Sequence, residues 1–310
     1  VTMKIPVDKL TRALKKGAST KKDTDTPVRV SVYLDSTASR FLVECVRDAF
    51  VPQTTFGIVR VERLGEERVV PKTDTDVAIV ISCGSDRLES AVQEIVIAGA
   101  PVCVLAESAV EVPFITESTP MLGFVAATDK TYLLETLARW ILDRTEKETA
   151  FAANFPFMRV AAANRIITSC ALTNMATGAL VFLPGADFPV MALSQIGMAF
   201  ELASIFGKGI KPERAYEVAG VLGGGLVLRA ATRALVKQTP HIAFLIKALV
   251  AGCGTYAMGR TLVALYERDV DYTRANEVLS APFSRVRDVV TNVAGAERPA
   301  SSSDPIDIAA

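Results

Sequence analysis

Histidine and tryptophan occur once each, as His241 and Trp140, and the 34 basic side chains are balanced by 34 acidic ones. A lone histidine excludes imidazole-rich metal centres and leaves no histidine clustered with a nucleophile. His241 follows Thr239-Pro240, where a surface residue at a helix start is expected. Zero net charge supplies no bulk attraction to nucleic acid, so no nucleic-acid partner is expected. The cysteines, Cys45, Cys83, Cys103, Cys170 and Cys253, form no C-x-x-C and no pairing framework. They read as buried, reduced thiols of a cytoplasmic protein. No apolar stretch precedes the first charged residues, so no secretory signal is read and a cytoplasmic start is expected.

What is present is apolarity, and it is unevenly placed: mean hydropathy is +0.32 despite the many charges. Residues 1–27 form a polar leader after a short helical pattern, Val7 to Leu14. From residue 28 the rhythm is that of an open α/β sheet. Val28–Leu34 is β-branched and strand-like, and Asp35-Ser-Thr-Ala-Ser turns into a helix carrying Phe41, Leu42, Cys45, Val46 and Ala49 at helical spacing. Thr55–Leu64 alternates as a half-buried strand and Arg68–Val70 is a possible return, which suggests one antiparallel strand. Val77–Ile81 and Val102–Ala106 are continuous apolar runs, as central parallel strands covered on both faces require. Helices are expected over about 86–98, closed by Gly99, and from Lys130, capped by Asp129, to about Arg144. Leu122–Val125 reads as a shorter strand.

Beyond residue 150 the strand pattern ends. Apolar segments run roughly 160–183, 188–207, 215–237 and 242–267, separated by short Pro/Gly breaks, as in a compact antiparallel bundle. Residues 271–291 form one more amphipathic pattern, and the chain closes on a Ser/Pro/Asp tail. The expected organisation is therefore a leader (1–27), a mostly parallel α/β domain (28–147), an all-α domain of apolar helices (150–292) and a disordered tail (293–310). From Ile166 to Ala186 there are 21 residues without a charge, long enough for a bilayer core of about 30 Å. The run carries Thr168, Ser169, Thr173, Asn174 and Thr177, however, and the other segments contain Glu201, Arg229, Arg233, Lys247 or Arg260. Each such charge at mid-membrane costs about 3 kcal/mol. Membrane association and a soluble, self-associating bundle both stay open.

Glycine and lysine are missing where a phosphate-binding loop needs them. After the first strand stands Leu34-Asp-Ser-Thr-Ala-Ser-Arg-Phe41, with no glycine to close backbone N–H groups around phosphates and no lysine to neutralise them. Asp35 would face a phosphate with like charge, and Ser36 and Ser39 read as helix caps. No G-x-G-x-x-G, G-x-S-x-G or H-E-x-x-H occurs. Asp74 and Asp76 precede a strand and could chelate a cation, although acidic turn residues are common there. Asp187 is expected to cap the helix that begins near Pro189. No catalytic residue, cofactor or metal is expected.

Several strings resemble a known family. Phe155-Pro-Phe-Met-Arg159, Ala163-Asn-Arg-Ile-Ile167, Leu183-Pro-Gly-Ala-Asp-Phe-Pro189, Gln195-Ile-Gly-Met198 leading to Ile205-Phe-Gly207, and Gly252-Cys-Gly-Thr-Tyr-Ala-Met-Gly259 are similar to the GTPase-associated helical family called domain of unknown function 697. Members of that family occur fused to Era-like GTPase domains or in predicted bacterial inner-membrane proteins. The resemblance implies a GTPase-like layout for residues 28–147, and there the expected motifs are replaced. Asp35–Arg40 stands for the phosphate loop, Ser82-Cys-Gly84 for Asp-x-x-Gly and Ala106-Glu-Ser-Ala109 for Asn-Lys-x-Asp, while Ala126-Ala127 falls near the usual Ser-Ala. A pseudo-GTPase is implied, on the cytoplasmic side of the membrane or in the cytoplasm. It would dock onto a second copy, another protein or a membrane. The candidate structural or interaction residues on the helices are Arg159, Asn164, Pro184, Asp187, Gln195, Gly207, Gly252 and Gly259. An enzyme of another type, with a pocket at the strand ends, and a soluble oligomeric structural protein are the alternatives.

Overall fold

The computed structural model describes residues 23–115, 119–180, 187–208 and 242–268, with scattered helical residues between 220 and 237. Chain order is β1 (Val28–Leu34), α1 (Arg40–Ala49), β2 (Gly57–Arg63), β3 (Val77–Ile81), α2 (Leu88–Ile97), β4 (Val102–Ala106), β5 (Leu122–Ala126), α3 (Lys130–Leu142), α4 (Glu148–Asn154), α5 (Arg159–Leu180), α6 (Asp187–Ile205) and α7 (Ala243–Glu267). The strands form one sheet in the order β2-β1-β3-β4-β5, and every neighbouring pair is parallel. This is the doubly wound order in which the strand direction of travel reverses between β1 and β3.

The expected antiparallel strand is corrected. β2 runs parallel to β1, with Val30 opposite Val59, because α1 carries the chain back along the sheet before β2 begins. Residues 68–70 form no strand. The segment from β2 to β3 is instead a loop pinned by polar contacts. Arg60 holds Asp74 at 2.7 Å, Ser31 meets Thr75 at 3.0 Å, and the Arg29 N–H donates to Asp76. Asp76 also takes Lys147 at 2.7 Å. The two carboxylates proposed as cation ligands are thus occupied by cationic side chains. No group of three or more potential metal ligands occurs among the described residues.

Alternation decides which face each strand residue serves. Val28, Val30, Val32, Ile79, Ile81, Cys103 and Leu105 face α1 and α3, whereas Tyr33, Val80, Val102 and Val104 face α2. The first core does not stop at the sheet. It continues through Phe151, Phe155 and Met158 to Ile167, Leu202, Leu262 and Tyr266, so sheet and helices share buried surface. Phe50 at the end of α1 lies 5.1 Å from Phe155 and 5.0 Å from Phe157, ring to ring. Asn154, fully buried, accepts from Thr54 and donates to the Ala150 carbonyl, tying the start of β2 to α4.

α5 and α7 pack antiparallel and very closely. A Cβ on Gly178 would stand 2.8 Å from the Lys247 carbonyl oxygen, and one on Gly259 would stand 2.6 Å from Ile167. Small residues at a four-residue spacing let the backbones approach this far. α6 ends as its sequence requires. Gly207 takes φ +67°, Lys208 N–H donates to the Ala203 carbonyl and Gly207 N–H to that of Ser204, a Schellman closure. α6 begins at Asp187 itself, so the expected helix start near Pro189 moves two residues earlier.

Candidate functional site

In doubly wound sheets ligands bind beyond the carboxyl ends of the strands, at the point where strand order reverses. Here that point lies between Leu34 and Ile81, and the next residues are Asp35 and Ser82. Asp35 is almost wholly buried, and Ser82 fully so. Ser82 donates its hydroxyl to one Asp35 carboxylate oxygen, which also accepts from Thr37 at 2.8 Å. The other oxygen accepts the Ser36 backbone N–H at 2.7 Å. Thr37 and Ser82 in turn accept backbone N–H groups, from Cys83 at 3.0 Å and Gly84 at 3.1 Å. Burial alone would push the Asp35 carboxyl up, but these hydrogen bonds outweigh it and hold it below the ordinary carboxylate range. Ser85 is close enough to add to that lowering. Its hydroxyl nevertheless makes no hydrogen bond of ordinary geometry, and it is a buried group without a partner.

The strand-end loops therefore point their donors at a carboxylate that the chain itself provides. A phosphate group bound at such a site would draw on donors of this kind; Asp35 already holds several here. Ser39 caps α1, receiving the Leu42 N–H at 3.2 Å, as expected. Ser36 does not cap; it serves Asp35. Gly84, at φ +90°, lies so close to the Glu111 carbonyl that a Cβ would sit 2.7 Å from it. Glu111 and Ser108 form a capping box after β4 that closes this end of the sheet. The Cys83 thiol beside it is pushed up by burial, which leaves it a weak nucleophile.

The candidate helical residues divide. Gln195 lies in a buried polar triad that the sequence did not reveal as a unit. Its side-chain amide donates to Thr255 Oγ1 at 3.0 Å, and Asn174 donates to the same oxygen at 2.9 Å. One hydroxyl on α7 thereby joins α5 and α6. Asn174 and Thr255 are fully buried, and Asn174 Oδ1 has no partner. Asn174 also approaches Cys170, whose thiol contacts Ser194 at 3.2 Å. Gly252 and Gly259 sit on the same seam of α7 as Thr255. Arg159 is half-buried beside the Phe206 ring, 5.9 Å from its centre, and burial lowers its affinity for the proton. Asn164 accepts from Arg260 at 2.9 Å on the outside of the α5–α7 pair. Pro184, His241 and the Asp187 side chain lie outside the described residues. Asn174 was visible as the lone amide of the uncharged run, and Thr255 as the polar residue of Gly252-Cys-Gly-Thr-Tyr.

Valine at position 255 is expected to leave two buried amides without an acceptor and to lower stability by about 2 kcal/mol in urea unfolding. The thiols are less uniform than expected, because Cys253 is exposed and Cys83 and Cys170 are partly so. Cys103 is fully enclosed, and burial raises its thiol far above the usual range. A maleimide is therefore expected to modify Cys253 first and Cys45 and Cys103 only on unfolding, as peptide mapping would read.

Compared with protein-family models, curated proteins and solved structures, the chain matches none of them.

Proposed function

We propose that the chain is a non-catalytic, membrane-associated or assembly protein. The sheet region serves as a docking module derived from a GTPase-like layout, and the helices serve as anchor or oligomer interface. The observation that carries the reading is the Asp35 carboxylate, which occupies donors at the strand-order reversal where a nucleotide phosphate would otherwise be held. A polyanion brought there meets an ionised carboxylate held in its charged form by its own neighbours.

α7 supports the membrane side of the proposal. It is the one helix among the described residues long and apolar enough to cross a bilayer. A core helix shares that length and composition, and α7 does bury the seam from Ala248 to Tyr266 against the bundle. That seam is the observation favouring a soluble, oligomeric structural protein as the second reading.

Titration with GTP, GDP and ATP in the presence of magnesium tests the first half of the proposal by equilibrium dialysis. No saturable binding below millimolar concentration is expected. Micromolar binding of any of them, lost on substitution of Thr37 or Ser82, would replace the docking reading by a ligand-binding one.

A further inference from the structure

α7, with its N-cap residue Ile242, carries a second apolar stripe beside its buried seam. Ile242, Leu245, Leu249, Cys253 and Tyr256 recur every three or four residues, and the four large side chains among them are between 45% and 47% exposed. Residues at this spacing share one face of a helix. The stripe ends at Arg260, whose guanidinium lies on the outside of the α5–α7 pair.

Two quantities choose its occupant. The first is area. Half-exposed side chains of this size present roughly 400 Å² between them, about half of the ~800 Å² that each partner commits in a stable protein pair. A second copy seated on this stripe alone would be held weakly, whereas an apolar stripe entering a bilayer interface needs no matching partner surface. The second is charge. Between Glu217 and Glu267 the chain contains no acidic side chain, while Arg229, Arg233, Lys237, Lys247 and Arg260 are all basic. A segment whose only charged side chains are basic is complementary to an anionic lipid surface.

We infer that this stripe of α7 is the lipid-contact face of the protein, lying in the interface of an anionic bilayer with its buried seam still packed against α5. The inference rests on the membrane-association reading above and adds the face and the lipid chemistry to it.

The experiment uses the full chain, an environment-sensitive fluorophore on Cys253, and vesicles of pure phosphatidylcholine or with 30% phosphatidylglycerol. A labelled Cys253→Ser chain supplies the background from the other thiols. Expected are a blue shift and brightening with the anionic vesicles, at least tenfold weaker binding to neutral ones, and weakening with added salt. Leu249→Glu, at an exposed position, is expected to reduce anionic-vesicle binding at least tenfold while the circular dichroism melt stays unchanged. Flotation of the whole chain with unaltered fluorescence and unaltered Leu249→Glu binding would overturn the stripe and leave membrane association standing through another face. No flotation at all would sink the membrane reading itself. A lipid-free dimer that quenches or buries the dye would assign the stripe to a second copy instead.

Discussion

Replacing Asp35 with alanine is expected to lower stability by about 3 kcal/mol, measured by urea unfolding at neutral pH. The change leaves the fully buried Ser82 hydroxyl without its acceptor, and it removes the acceptor that Ser82 shares with the exposed Thr37 hydroxyl and Ser36 N–H. Asparagine should recover part of the loss, because one amide oxygen can still accept while the charge is gone. The same site predicts a pH dependence. The folded carboxyl titrates below its unfolded value of about 3.9, so the folded state binds the proton less readily. Its contribution is fully present above that value and is lost as pH falls through the lower, folded one. The acid limb of the wild-type stability curve should therefore be steeper below about pH 4 than that of Asp35→Ala.

Gly178→Leu is expected to be the most disruptive single change in the helices. A Cβ at position 178 already meets the backbone oxygen of Lys247 at 2.8 Å and the Ala251 side chain at 3.1 Å. Backbone cannot rotate away as a side-chain end can, so α5 and α7 must separate, and their separation disturbs the Asn174–Thr255 contact between them. A loss of about 3 kcal/mol or more follows. Accelerated hydrogen exchange along both helices, with the sheet amides less affected, would read it. Helix propensity alone opposes this by favouring leucine over glycine by nearly 1 kcal/mol. An unchanged or raised melting temperature would thus mean that the close α5–α7 approach is absent.

Much of the sheet was legible because its signals are local. Five-residue runs such as Val77–Ile81 can be buried on both faces only as central strands, and Asp129 and Gly99 mark helix ends by their own chemistry. The direction of β2 was not legible, since Gly57–Arg63 alternates equally well in either sense and pairing is decided by α1, which returns the chain. The Asp35 knot was half visible. The missing glycine and lysine indicated that no phosphate loop was present, but Ser82 lies 47 residues away in sequence and only the parallel pairing of β1 and β3 brings it to the carboxylate. The Thr255 triad was hidden for the same reason, its three members standing on three helices. The shared core was also unpredictable from composition, because apolar residues of α4 to α7 carry no mark that tells a bundle interior from a surface laid against α1 and α3.

The most direct test of the central claim is cell fractionation of the full chain followed by a carbonate wash, with the detergent requirement of the purified protein followed in parallel. The account predicts that the chain sediments with the membranes, is released from them by the carbonate wash as a protein lying in the interface would be, and needs detergent or anionic lipid to remain monodisperse. Recovery in the soluble fraction, as a stable oligomer without detergent or lipid binding, would contradict the membrane-association reading and make the helices a buried bundle of a soluble assembly.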